Sequence, residues 1–218
     1  MNYDEDHASG FPDLLQNGIT IGCIYGNPSV PPGTVRSLKT DDGMGPGIDA
    51  LTNALALRIQ RGHVETWPVI PGLEINACWN VYPRFEDENN LSLALELRIH
   101  GFSFLFTGDM ETAGLNNLLT HYVPFREMVA RTDVLMASHH GRANGVCQSM
   151  FDNYGCNPAL VVISDDYKQY DSQETTSYYG SKARGVVGFR TQQVRKVLTT
   201  RSDGEFHFSF RNGNCFAE

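Results

Sequence analysis

Phe102-Ser103-Phe104-Leu105-Phe106-Thr107-Gly108-Asp109 is a short apolar run that ends in a turn carrying a carboxylate. A second run of the same design, Val134-Leu135-Met136-Ala137, ends in Ser138-His139-His140-Gly141. Both have the length of strands, with aromatic or β-branched content and glycine or charge at their bounds. Each therefore delivers ligand-type side chains at its C-terminal end. If the two are parallel neighbours, as in layered α/β proteins, Asp109 and His140 meet in the crevice beyond the strand ends. A third cluster, Asp4-Glu5-Asp6-His7, would have to join them there.

Working outward, residues 73–82 and 91–99 alternate as strands, and His100-Gly101 supplies a tight turn into the Phe102 run, giving a β-meander. Downstream, residues 113–121 and 125–131 read as helices, followed by the strand at 134–137, a helix near 147–154 and the strand 160–163. Residues 165–185 are polar with a Tyr-rich patch, and 197–200 with 206–210, parted by Ser202-Asp203-Gly204, predict a closing hairpin. Upstream, the pattern predicts a helix over 10–16 and a strand around 19–25. Residues 26–47, rich in Gly and Pro, read as a long surface excursion. Apolar residues at 48, 51, 55 and 59 mark one face of a helix over 48–61, stopped by Gly62. Residues 26–62 thus read as a loop-and-helix insertion in a single α/β domain spanning 1–218.

The chain has 218 residues, 41% hydrophobic and 11% aromatic, enough for a real core without disulfide or structural-metal support. No apolar stretch approaches the ~20 residues of a membrane span, so a soluble protein is expected. Five cysteines, Cys23, Cys78, Cys147, Cys156 and Cys215, are odd in number and never form Cys-x-x-Cys; a disulfide framework or thiolate zinc site is not suggested, and a reducing cytoplasm fits. Residues 1–7 are acidic and no apolar h-region follows, unlike a secretory signal. A net charge of -8 argues against broad electrostatic capture of duplex nucleic acid. A bound divalent ion reverses the field locally, which keeps nucleic acid open as a partner.

Asp6 and His7 can face one cation if the backbone turns sharply before Gly10. Asp109 offers a carboxylate able to bridge two ions, and His140 an imidazole. Such mixed N/O ligation suits Zn²⁺ or Mn²⁺, one ion or two; paired ions about 3.5–4 Å apart hydrolyse phosphate esters. Taken singly, an acidic N-terminus is usually a solvated tail and Thr-Gly-Asp usually a turn. Adjacent histidines straight after a buried strand are the sharper signal, and convergence of all three clusters predicts the site. His63, His100, His121 and His207 read as structural or surface residues. Arg142, Lys168, Arg184 and Arg201 are candidate phosphate-holding cations, Arg142 foremost because it stands beside the histidines.

These residues resemble the metallo-β-lactamase fold, and within it the soluble hydrolase domain at the end of ComEC-type competence proteins. Asp4-Glu5-Asp6-His7-Ala8-Ser9-Gly10 resembles the His-x-His-x-Asp-His signature. Asn90-Leu91-Ser92 with Phe104 to Asp109 resembles the Asn-x-Ser and Leu-x-Thr-Gly-Asp stretch, residues 134–141 the Ser-His-His-Gly stretch, and residues 199–206 the closing Thr-x-x-x-Gly hairpin.

The resemblance implies an αββα sandwich, a metal-dependent hydrolase of phosphodiesterase or nuclease type, and Asp4, Asp6, His7, Asp109 and His140 as metal ligands. It further implies that Asp6 orients or deprotonates water, while Arg142 or a protonated His139 stabilises phosphoryl charge. His139 could exchange roles with His140. A small ester, thioester or lactone is the alternative substrate class, and a weakly catalytic metal-binding module the alternative role.

Three departures stand out. Asn2 and Asp4 replace the first two histidines of the signature, which predicts either one ion at the second position or an oxygen-rich pair. Tyr170-Asp171-Ser172-Gln173 stands where the family has Tyr-Gly-His-Pro. The signature opens the chain here, so the family's leading strands are expected to be missing, as in a fragment or from a misplaced start.

Overall fold

The computed structural model describes residues 2–39, 43–166 and 174–218. Six strands form one mixed sheet in chain order: β1 (Leu73–Trp79), β2 (Leu93–Ile99), β3 (Phe102–Phe106), β4 (Val134–Met136), β5 (Leu160–Ile163) and β6 (Val197–Thr199). The first three run antiparallel as a meander; β3 to β6 run parallel. In the β2/β3 hairpin, Ile99 pairs with Phe102 across His100-Gly101, both at positive φ as a two-residue turn matched to strand twist requires. Phe104, Leu105 and Phe106 lie opposite Val134, Leu135 and Met136. The two runs that carry the candidate ligands are therefore adjacent and parallel, and both turns open at one end of the sheet.

The two faces of the sheet alternate by residue, as the pleat demands. Leu105, Leu135, Val161 and Ile163 face a layer made by α5 (Thr112–His121), α6 (Val123–Ala130), α7 (Gln148–Asp152) and α8 (Thr176–Lys182), where Leu115, Leu118, Leu119 and Phe125 are fully buried. Phe104, Val134, Leu160 and Val162 face the other way. They are covered by a two-stranded hairpin, β7 (Phe208–Arg211) with β8 (Asn214–Ala217), whose Phe208 and Phe210 meet the Phe104 ring edge-on at 5.0 and 6.0 Å. The fold is thus α/β, with helices on one face and a small antiparallel ribbon on the other.

A separate core builds the N-terminal third against Leu91, in the segment between β1 and β2. Tyr3, Ala8, Ile24, Val30, Val35, Ile48, Leu51 and Leu91 pack together, drawing on α1 (Glu5–Ala8), α3 (Pro32–Leu38) and α4 (Pro46–Gln60); α2 (Phe11–Gln16) lies where a helix was expected. The supposed excursion over 26–47 contains α3. It is a packed part of the molecule.

Two further expectations are corrected. Residues 19–25 are extended but join no strand ladder: the Glu65 carboxylate accepts from the Ile24 N–H (2.8 Å), and Arg58 donates to the Ile21 and Gly22 carbonyls (3.2 and 3.0 Å). Side chains satisfy backbone groups that a neighbouring strand would otherwise take. The closing hairpin is not 197–200 with 206–210. Val197–Thr199 is the sixth strand of the sheet, Thr200–Asp203 is a helical turn (α9) capped by Thr199 Oγ1, and the hairpin is β7/β8 around Asn212-Gly213. Lys168 and the segment Tyr170-Asp171-Ser172-Gln173 lie outside the described residues. Among those described, no helix is long and apolar enough to cross a membrane.

Candidate metal centre

The turn after β3 is held from behind by the Asn90-Leu91-Ser92 stretch. Ser92 Oγ accepts the Asp109 N–H (3.1 Å), while Asn90 Oδ1 accepts the N–H groups of Glu111 (3.1 Å) and Gly114 (2.9 Å) at the start of α5. Gly108 sits at φ 58° with the Ser92 side chain against it, so a Cβ there would collide as well as strain the backbone. The turn after β4 is more contorted. His139, His140 and Gly141 are consecutively left-handed, at φ 51°, 53° and 71°. Such conformations cost about 1–3 kcal/mol per non-glycine residue and collect at functional sites. Here the Gly108 carbonyl anchors them, accepting from the His139 N–H (3.0 Å) and Ser138 Oγ (3.1 Å). One turn thus fixes the other.

Asp6 and His7 arrive on α1, a helix of only four residues that would not hold by itself. Glu5 pins it: its carboxylate accepts the Gly47 and Ile48 N–H groups (2.8 and 3.0 Å) at the start of α4, where orphan donors and the helix dipole favour an anion.

The three clusters converge. One ligand atom each from Asp6, His7, Asp109 and His140 lies within 4.8 Å of the others. His7 Nε2 stands 3.0 Å from Asp109 Oδ2; His140 Nε2 stands 3.2 Å from Asp6 Oδ2 and 3.5 Å from Asp109 Oδ2. His140 Nδ1 donates to the Ser164 carbonyl (2.9 Å), which orients the ring and directs Nε2 at the carboxylates. Asp109 is buried; burial raises its pKa, and the His140 and His7 hydrogen bonds more than reverse this, so it stays ionised far below the usual carboxylate range. Hydrogen bonds to the Asp109 and Asp6 carboxylates push the His140 pKa up to about 10. Asp6 is lowered, chiefly by His140. Two imidazoles and two ionised carboxylates at this spacing fit a divalent cation, and the donor set does not choose Zn²⁺ over Mn²⁺.

Asp4, expected as a ligand, is outside this quartet. It pairs with Lys39 and accepts from Asn2 Nδ2 (3.0 Å). Lys39 also donates to Glu88 (2.8 Å); burial pulls its pKa down, and the two carboxylates outweigh that to leave it raised. His139 is buried and outside the quartet, and Arg142 Nη1 donates to its Nε2 (3.0 Å). Burial lowers the His139 pKa, so a neutral imidazole replaces the charged one expected. His139 positions Arg142 and carries no charge of its own.

No protein-family model and no curated protein matches the chain. The residues that reasoning on sequence passed over are Glu5, Lys39 and Ser164. A carboxylate and a Gly-Pro-Gly helix start are natural partners, but nothing in the sequence pairs Glu5 with that start across 42 positions.

Proposed function

We propose that the protein is a metal-dependent hydrolase with the metallo-β-lactamase type of architecture, the β7/β8 ribbon standing in the place of a second full sheet. Its favoured substrates are phosphodiesters. The observation that supports this best is the convergence of Asp6, His7, Asp109 and His140 at the C-terminal ends of parallel strands. A divalent ion held there supplies Lewis-acid polarisation of a phosphoryl oxygen and a lowered pKa for water. Asp6 has the most exposed side chain among the acid groups at the site and orients the attacking water. Arg142, held by His139, lends positive charge to the phosphoryl group. An open cleft of about 760 Å³, lined in part by Thr112, Ala143, Thr175 and Tyr178, adjoins this loop, since Thr175 Oγ1 donates to the Gly141 carbonyl, and it offers room for the rest of a substrate. The five free thiols suit a reducing, cytoplasmic setting.

Purified protein supplied with Mn²⁺ or Zn²⁺ should cleave bis(p-nitrophenyl) phosphate faster than p-nitrophenyl butyrate, and His140→Ala should abolish the cleavage. Preference for the acyl ester would reassign the substrate class. Asn2 and Lys39 at the site favour one second reading, a metal-binding module of low turnover; bound metal with neither substrate cleaved would select it.

A further inference from the structure

Lys39 is a buried cation beside the quartet with no part in the proposed hydrolysis. Its side chain is only 4% exposed, yet lysine is among the residues least often buried, because a buried ammonium gives up hydration that only close partners offset. It is paired twice, with Asp4 Oδ1 and with Glu88 Oε1. Next to it, fully buried Asn2 aims one amide nitrogen at three oxygens: Asp4 Oδ2 at 3.0 Å, Asn89 Oδ1 at 3.1 Å and Asp109 Oδ2 at 3.3 Å. An amide nitrogen has two hydrogens for these three acceptors. Asp109 Oδ2 is the oxygen that also meets His7 and His140. An ammonium, a carboxylate and an amide therefore run without interruption from Lys39 through Asp4 and Asn2 to the metal quartet.

A second ion working with the first has to lie about 3.5–4 Å from it and draw on oxygens around Asp109. The oxygens near enough on this flank are those of Asp4 and Asn89, with Glu88 behind them, and each already receives a proton donor. Resting on the metal-site reading, we propose that Lys39 and Asn2 take the place of a second divalent ion, so that the chain binds one ion beside a built-in organic cation. The ammonium supplies a fixed positive charge where a two-ion enzyme would carry its second metal.

The test is metal stoichiometry by native mass spectrometry after equilibration with excess Mn²⁺, on the full chain, its Lys39→Arg variant and its Asn2→Asp/Lys39→Met double variant. The wild type and Lys39→Arg should saturate at one Mn²⁺, and the double variant, with three carboxylates released or added beside Asp109, at two. Circular dichroism checks that each variant is folded, and Lys39→Gln replaces the double variant if that one does not fold. Two ions in the wild type, or one ion in a folded charge-removed variant, would overturn the inference while leaving the metal site standing. No ion in the wild type would overturn the metal-site reading itself, and this inference with it.

Discussion

In the metal-free protein the His140 imidazole should remain charged well past neutrality. Its Nδ1–H is held by Ser164 and its Nε2–H by Asp109 and Asp6, which lift its pKa from 6.5 to about 10 against the opposing effect of burial. A metal ion needs the Nε2 lone pair, so that proton must leave first. Metal affinity should then improve about tenfold per pH unit between pH 6.5 and about 10, with about one proton released per ion from this residue. The stability of the metal-free protein follows the same protons. A raised histidine pKa contributes fully below 6.5 and loses its contribution as pH climbs through about 10. The depressed Asp109 contributes above its ordinary 3.8 and loses its contribution as pH falls toward its folded value. As far as this pair governs it, the Tm of the metal-free protein should peak between about pH 4 and 6.5. Histidine ¹⁵N shifts followed from pH 5 to 10.5 read the midpoint directly, and titration calorimetry in buffers of different ionisation enthalpy counts the released proton. A His140 midpoint at or below 6.5, or no proton release attributable to it, would refute the reasoning.

Three other outcomes are expected. Glu5→Ala removes the cap on α4 and frees α1; with a capping interaction of about 1 kcal/mol at stake, the fold should survive while metal affinity falls, because Asp6 and His7 lose their anchor, as calorimetry with Mn²⁺ would reveal. Ser92→Ala leaves the Asp109 N–H without its acceptor inside the protein, which should destabilise by roughly 1–3 kcal/mol in urea denaturation and weaken metal binding in step. Phe125→Ala, in the fully buried helix layer remote from the ligands, should cost about 3–5 kcal/mol of stability and leave the metal stoichiometry of the folded fraction unchanged.

The strands that carry ligands were legible because two signals agreed on them: apolar runs of the right length, each closed by a glycine-containing turn that bears ligand-type side chains. Their parallel adjacency was the condition on which Asp109 and His140 would meet, and the pairing of residues 104–106 with 134–136 meets it. The hairpin at the C-terminus was misplaced because Ser202-Asp203-Gly204 resembles a turn. Asn212-Gly213 is the stronger two-residue signal, and Arg211 does pair with Asn214 across it. Residues 19–25 have strand-like composition, but Arg58 and Glu65 satisfy their backbone from a distance, which no local pattern reveals. The pairing of Asp4 was hidden for a similar reason. A lysine 35 positions away claims it, and the partner of a carboxylate is a tertiary fact.

The quartet also has a topological meaning. His7 and Asp109 are 102 positions apart, and Asp6 and His140 are 134 apart. An ion held by all four would clasp the first turn of the chain to the middle of the sheet, closing a loop that spans most of the molecule. Because the open chain does not hold the ion, its contribution is set by mass action, about 2.7 kcal/mol at a free-ion concentration of roughly 100 times Kd. The ligand pairs are brought together only when both cores have formed. Metal capture would therefore be a late step in folding, and chelation would loosen the N-terminal third before it disturbs the sheet.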